Sequence, residues 1–483
     1  MLWSMGSQYI VFAMQFAVSV IISRFFLSPA EVGLFSTAFA AAMLVSVLQD
    51  FGLTRYISGL RELNETHVRL CSSISLTFAL LIVAVIALLA WPAARFYDEP
   101  RMLGIMLIIA ASFLFVPFSI VSTALLMRSM DFRSVAYINI GGAITGGAVA
   151  IGSAAAGFSA ESLAWGLVGQ NIARALLAQW RRPALPPLPL RFEGARPVVD
   201  FGMATSALYV MGGLGTRSPD LVIGHLISMH AVGLFSRATG LALQLRTLVA
   251  GAIGGVLYPA FARIHNRGEP LGPAYLRVLA GYTAVIWPAM ALLAVAAEPV
   301  VLILFGETWA RVAPLLFWIA IAEMIFTALP LHFELPILLG RKRLLAKLTL
   351  VDNVSSLVFL ILAAQVSLEW AAMSRVAYGL FWVILYAPFL YRLVQFDVAK
   401  LLTTYVQSAV VTLAAIIPLL LSDRFWISLG DLSFAQLALL SGLGIGLWLL
   451  SLFAVRHGAV DEIVGLFETL WAQRRRPFAS GVK

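Results

Sequence analysis

Arg217 and Arg246 each stand well inside an apolar run, about 12 and about 14 residues from its end, or roughly 20 Å at 1.5 Å per residue. A cation at that depth in hydrocarbon is expensive unless something polar meets it. The planar guanidinium fits two kinds of oxygen pair, those of a phosphate and those of a carboxylate. A phosphate partner makes the two arginines a ligand grip, and a carboxylate partner makes each one half of an internal ion pair. Asp220, three residues from Arg217 and on the same helix face, offers the second option. Glu323, mid-run in a stretch that also carries Pro330 and Pro336, is either the counter-ion of Arg217 or Arg246 or a proton-exchanging group beside a broken helix.

Other polar residues in the runs are weaker candidates. Arg24 and Arg237, near run ends, line a cavity or snorkel to the boundary, and Arg174 and Arg375 leave the same alternatives. Gln15, Asp352 and Asn353 read as lining residues, with Asp352 joining Glu323 and Asp220 as carboxylates that could couple to an ion. Asp50, in D-F-G-L, suits a cap or a loop pairing, while His225 and His230 bracket a turn and suit interfacial hydrogen bonding. Gly141, Gly142, Gly146, Gly147 and Gly152, and Gly251, Gly254 and Gly255, follow no strand and carry no P-loop lysine, so they read as helix-packing residues. The single Cys71 excludes an intramolecular disulfide and offers no metal cluster, and no cofactor is expected.

The elements that must hold these residues follow from composition. Of 483 residues 61% are hydrophobic and 12% charged, more apolar surface than a soluble fold of this size buries. Runs of about 20 apolar residues, the length that crosses some 30 Å of hydrocarbon, recur from end to end without the alternation of barrel strands. Fourteen transmembrane helices are expected, at 3–27, 33–54, 72–92, 102–127, 134–156, 160–180, 198–228, 232–260, 275–297, 311–338, 344–366, 369–392, 400–422 and 432–455. The first has no basic leader or cleavage site and reads as a retained helix. Pro117, Pro259, Pro288 and Pro330 are candidate kinks.

The net charge of +9 is not a nucleic-acid signature, because it alternates with the loops. The even-numbered loops and the C-terminal tail hold most of the 33 Lys and Arg, whereas the odd loops hold only Arg24, Arg95, Arg101, Arg311 and Arg424. The positive-inside rule then puts both termini and every even loop in the cytoplasm. The expected organisation is an N-terminal six-helix lobe (1–180), a proline- and arginine-rich cytoplasmic linker (181–197), a C-terminal six-helix lobe (198–394), two further helices (395–455) and a basic amphipathic tail (456–483).

The lobes also read as a parallel repeat. V-G-L-F-S occurs at Val32 to Ser36 and again at Val232 to Ser236, and the same offset of 200 residues aligns Tyr9 with Tyr209, Ser28 with Ser228, Ala38 with Ala238 and Ala42 with Ala242. In the first copy S-P-A-E at Ser28 to Glu31 forms a capping box. In the second, Ala231 replaces the acid.

R-F-F-L-S-P-A-E-V-G-L-F-S-T-A, D-F-G-L at Asp50 to Leu53, P-D-L-V-I-G at Pro219 to Gly224, V-G-L-F-S-R-A at Val232 to Ala238, Y-P-A-F-A-R at Tyr258 to Arg263 and L-L-G-R at Leu338 to Arg341 occur in that order. Together they resemble bacterial polysaccharide-export flippases of the multidrug, oligosaccharidyl-lipid and polysaccharide exporter superfamily, along nearly the whole chain. The resemblance implies an all-α transporter of two six-helix lobes plus two helices, moving an undecaprenyl-diphosphate-linked oligosaccharide from the cytoplasmic to the outer leaflet of the bacterial inner membrane by alternating access. It implies capsule, exopolysaccharide or O-antigen assembly, acting as a monomer among membrane lipids, with a polysaccharide polymerase and export machinery as partners and without nucleic acid. Arg217 and Arg246 are then the first candidates for the diphosphate, with Arg24, Arg237 and Gln15 behind them. The offset sets Ser46 opposite Arg246, so the grip is expected to be asymmetric. A multidrug antiporter of the same superfamily is the alternative. A membrane-embedded polymerase, ligase or acyltransferase stands further off, because the external loops are short and the six histidines scattered.

Overall fold

The computed structural model describes residues 2–46, 52–60, 62–184 and 189–460, with the backbone alone at residues 2, 4–5, 201, 203–214, 216 and 249–256. Asp50, Arg61 and the amphipathic tail beyond residue 460 lie outside the described residues, as do the side chains of Gly251, Gly254 and Gly255.

Among the described residues every regular element is helical. The chain runs through α1 (Leu2–Phe25), α2 (Pro29–Ser46), α3 (Leu53–Gly59), α4 (Glu65–Phe96), α5 (Arg101–Phe113), α6 (Pro117–Arg128), α7 (Phe132–Ala155), α8 (Glu161–Arg181) and α9 (Ala195–Leu226). It continues with α10 (Met229–Asn266), α11 (Leu271–Val295), α12 (Ala297–Phe305), α13 (Val312–Phe326), α14 (Glu334–Leu338), α15 (Lys342–Ala364), α16 (Leu368–Val394), α17 (Val398–Phe425) and α18 (Phe434–Ala454).

Nine of the described helices are long and apolar enough to cross a membrane, or ten if α5 and α6, bent by 43°, form one span. Of the other expected segments, 160–180 is helical but carries Glu161 and Arg174 within the run, and 311–338 is cut into the 15-residue α13 and the 5-residue α14. The segments at 198–228 and 232–260 lie in the long helices α9 and α10, which are outside that count because part of each is described by its backbone alone. Pro117 begins α6 at the bend and Pro330 lies in the break after α13, whereas Pro259 and Pro288 sit inside continuous helices. The short apolar α12 was not expected as a separate element.

Local chemistry sets the starts. Ser28 donates from its backbone N–H and its hydroxyl to Glu31 Oε2, at 2.7 and 2.8 Å, so the acid reaches back as in a capping box. In the second copy Ala231 cannot reach back, and the complementary half of the box is seen, with the Ser228 hydroxyl accepting from the Ala231 N–H at 3.2 Å. Asp131 and Asp397 cap α7 and α17, and Ser433 with Gln436 forms a full box on α18.

Two compact units emerge. The first is Met1–Ser236 with Leu304–Trp309 and Leu360–Leu368. Its core packs Leu34 and Ala38 of α2 against Ile82 and Ile86 of α4 and Ile105 and Ile109 of α5. α7 and α8 form its tightest pair. A Cβ on Gly146 would stand 2.8 Å from Gln170 Cβ, one on Gly142 2.6 Å from Arg174 Cγ, and one on Gly166 2.7 Å from Ala150 Cβ. Here the glycines serve close helix packing.

α2 also meets the first turns of α10 within this unit, where the two pentamers touch. A Cβ on Gly33 would overlap the Met229 carbonyl, one on Gly233 would overlap the Pro29 carbonyl, and the Ser36 hydroxyl donates to Ser236 Oγ at 3.4 Å. The repeated residues are thus paired in space as well as in sequence.

The second unit is Arg237–Ile303, Ala310–Phe359 and Glu369–Lys483. Tyr275, Leu329, Trp382, Tyr386 and Leu390 form its core. α17 and α18 pack together so closely that a Cβ on Gly444 would overlap the Ala415 carbonyl. Between α10, α11, α12, α17 and α18 lies a cavity of about 380 Å3 whose lining is apolar except for Ser441 and the edge of Trp448.

Candidate functional site

Within the second unit Arg246 of α10 and Glu323 of α13 form an ion pair, Nη1 to Oε2, at 2.8 Å. Glu323 is 7% exposed, whereas the arginine side chain keeps 33% of its surface. The approach meets the distance of an ion pair but not the angles of a hydrogen bond, so Oε2 has no directed donor. The guanidinium is engaged on one side and open on the other.

Glu323 is held there by the way α13 ends. The helix stops at Phe326, three residues past the carboxylate, and its last carbonyls are orphans that need donors. Trp287 Nε1 of α11 donates to Met324 O at 3.0 Å, Thr327 Oγ1 donates to the same oxygen at 2.8 Å, and Tyr405 of α17 donates to Ala328 O at 2.6 Å. The Trp287 and Tyr405 rings stack at 5.6 Å, so a rigid aromatic clamp fixes the break. His332 stands edge-on to Trp382 and Tyr386 at 4.8 and 5.3 Å just beyond it.

A second polar cluster joins α15 to α16 in the same unit. Tyr378 donates to Asp352 Oδ1 at 2.6 Å, and Arg375 Nη1 donates to Ser356 Oγ at 3.4 Å. The Arg375 guanidinium stands 5.3 Å over both Phe326 and Tyr378. Arg237, earlier on α10, is half-buried.

The first unit holds the remaining candidates. Arg217 of α9 does not come within 4.0 Å of Asp220, the i,i+3 partner its spacing suggests. Its guanidinium instead stands 5.1 Å over the Phe39 ring of α2. Both residues are half-buried. Arg24 is exposed with Phe25 at 6.0 Å, Gln15 is exposed, and Arg174 lies along the Gly142 groove. His225 stacks on Phe96 at 4.1 Å, consistent with a place at the turn between α9 and α10.

The structure therefore brings Arg246 to Glu323 and leaves Arg217 on a ring. Sequence reasoning missed the Trp287–Tyr405 clamp and the Tyr378 hydroxyl on Asp352. The available signal was an aromatic residue with a polar tip deep in an apolar run, which when buried needs a partner. It also missed a hydrogen-bonded chain of Thr283, Ser408 and His457, linked at 2.7 and 2.9 Å. Burial alone pushes His457 below the ordinary histidine range.

Comparison with known proteins follows the same lines. The chain is 27% identical over 349 residues to the succinoglycan biosynthesis transport protein ExoT of Rhizobium meliloti, covering 70% of this chain and 68% of that protein. It is 20% identical over 316 residues to the lipopolysaccharide biosynthesis protein WzxC of Escherichia coli, covering 65% and 64%. Among solved structures, the lipid II flippase MurJ in an inward closed conformation superposes with a TM-score of 0.72 at 12% identity, over 93% of this chain and 97% of that one. A MATE multidrug transporter of the MOP superfamily, inward-facing, superposes with a TM-score of 0.59 at 13% identity, over 79% and 94%. These two likenesses define the fold. The polysaccharide biosynthesis protein model matches residues 21–314, well over half the chain, and the chain belongs to that family.

Proposed function

We propose that this protein moves a lipid-linked oligosaccharide across the bacterial inner membrane, from the cytoplasmic to the outer leaflet, for polysaccharide export. Family membership and the transport function named for ExoT support the substrate class, and the fold shared with a lipid II flippase is compatible with it. A MATE-like fold fits a drug exporter equally well, so the sequence family separates the two. Both termini face the cytoplasm in this reading, in keeping with the alternating loop charge.

The observation that carries the mechanism is the Arg246–Glu323 pair. A diphosphate arriving at Arg246 competes with Glu323 for the guanidinium, and the poor alignment of the pair together with the exposed third of the arginine lets it do so. Glu323, freed from its partner, is then the first candidate for coupling substrate binding to an ion. Asp220 and Asp352 are further coupling candidates, and Arg217, Arg24, Arg237 and Gln15 further cavity contacts. The apolar cavity lined by α11, α17 and α18 suits hydrocarbon rather than sugar.

The test is reconstitution in vesicles with a fluorescent undecaprenyl-diphosphate oligosaccharide in the inner leaflet, following its appearance outside. Wild-type protein is expected to expose it, and the Arg217→Gln/Arg246→Gln double variant to lose most of the rate with protein still inserted. Undiminished flipping in the double variant removes both arginines from the grip.

A further inference from the structure

At one end of the first unit, two arginines and three aromatic residues from three helices form a single cluster. Arg133, the second residue of α7, stands 5.6 Å over the Trp3 ring of α1 and 5.6 Å over the Tyr137 ring. Arg181, the last residue of α8, stands 5.4 Å over the same Tyr137 ring and 4.6 Å over Trp180. Arg133 Nε also donates to the Tyr137 hydroxyl at 3.2 Å.

Two like charges are thus tied to one ring, no more than about 11 Å apart, close to the screening distance of physiological salt. Both arginines are exposed, and a guanidinium set over a ring keeps N–H edges with which to bind phosphate. The nearby carboxylate does not satisfy them. Asp131 caps α7 by accepting from the Ser134 N–H at 3.0 Å, and it is held below the usual carboxylate range first by Ser134 and then by the two arginines. Neither arginine comes within 4.0 Å of it. Arg182, the next residue, adds to the positive side.

We infer that this cluster is a binding site for the headgroup of an anionic phospholipid of the bilayer. The phosphate bridges Arg133 and Arg181, relieving their repulsion. Trp3 and Trp180, 52% and 72% exposed, sit at the level where indoles mark a membrane boundary. One turn inward from Trp180 the surface becomes Leu176, and two turns inward from Tyr137 it becomes Ile144, both exposed, which suits acyl chains beneath a headgroup. That change from cationic to apolar along two packed helices distinguishes a lipid from a soluble phosphate. Arg133 and Arg181 lie at helix ends that border even loops, and Trp3 at the start of α1, all on the expected basic side of the chain, where basic clusters near a membrane recognise anionic headgroups. The site does not depend on what the protein transports.

The experiment is native mass spectrometry of the full chain in detergent, titrated with phosphatidylglycerol and, separately, phosphatidylcholine. Each arginine near an anionic surface favours the anionic lipid roughly fivefold, so wild-type protein is expected to prefer phosphatidylglycerol by about 30-fold. Arg133→Gln/Arg181→Gln is expected to fall to within about twofold of no preference, with unchanged helical content and thermal midpoint in lipid-free detergent. Tyr137→Phe, which keeps the shared ring, retains the preference. An unaltered preference in the double variant overturns the site. So does displacement of phosphatidylglycerol by millimolar diphosphate, which would mark a soluble-anion site instead.

Discussion

Gly33 and Gly233, separated by 200 residues and equivalent in the sequence repeat, pack against each other's helices so closely that neither has room for a Cβ. Gly33 abuts the Met229 carbonyl on α10 and Gly233 abuts the Pro29 carbonyl on α2, a reciprocal relation that a local two-fold would produce. Because backbone blocks each position, a side chain there can be accommodated only by moving a helix. Gly33→Val or Gly233→Val is therefore expected to destabilise the protein by at least the ~1–3 kcal/mol of an overpacked core. Thermal unfolding in detergent measures this. A midpoint within a degree of wild type in both variants would contradict the packing.

The same crossing offers a covalent probe. Ser36 and Ser236 hydroxyls lie 3.4 Å apart, one turn from the backbone contact of Gly33 and Gly233, so cysteines at these positions are brought side by side. The native chain has only Cys71, which is buried, so background is low. Ser36→Cys/Ser236→Cys is expected to oxidise spontaneously, with both new thiols protected from alkylation until reductant is added. With alternating access as the mechanism, export is expected to stop in the oxidised form and to resume on reduction. Thiols that stay reactive under oxidising conditions would show that the helices do not hold this crossing.

Much of this was legible in the sequence, and the limits are physical. Apolar length revealed the helices, Ser28 and Glu31 revealed where α2 starts, and the repeated pentamer revealed equivalent turns. Nothing in a single sequence says that equivalent turns touch, because helix packing depends on faces that a one-dimensional repeat does not order. Depth along a run singled out Arg246 and Glu323 but left the counter-ion of each open. The choice was decided by the break after Phe326, which places the carboxylate through Trp287 and Tyr405, residues 36 positions before and 82 after it in the chain. The i,i+3 spacing of Arg217 and Asp220 suggested a pair, yet the guanidinium found the Phe39 ring, since tertiary neighbours override local spacing.

The Arg246–Glu323 pair gives its own test. Removing one partner strands the other, at a cost of about 3–5 kcal/mol for a fully buried pair and toward the lower end here, where Arg246 keeps a third of its surface. Glu323→Gln and Arg246→Gln singly are expected to destabilise, and the double variant to recover part of the loss. Unfolding midpoints of the four proteins close the cycle, and strict additivity would mean the pair carries no coupling. Export should fail in Arg246→Gln and in the double variant, whatever their stability.

Acid sensitivity should trace to His457, which follows α18 and lies outside the spans. Its Nδ1 accepts from the Ala459 N–H at 3.1 Å, so in the neutral ring Nε2 carries the proton and donates to Ser408 Oγ at 2.9 Å. Ser408 in turn meets Thr283 Oγ1 at 2.7 Å, and Thr283 donates to Leu279 O. Every member of the chain is satisfied only with a neutral imidazole, and no charged group accounts for the lowered pKa, which comes from burial. A second proton on Nδ1 would face the Ala459 N–H, donor against donor. The unfolded chain takes up that proton near pH 6.5 and the folded chain only at lower pH, so stability is flat above about 6.5 and falls as pH drops below it. Thermal midpoints measured from pH 8 to pH 5 should show this slope in wild type and a shallower one in His457→Gln. The variant removes the titration while lowering stability at every pH through the lost Ala459 contact. Identical slopes would assign the acid sensitivity to other groups and leave His457 a purely structural residue.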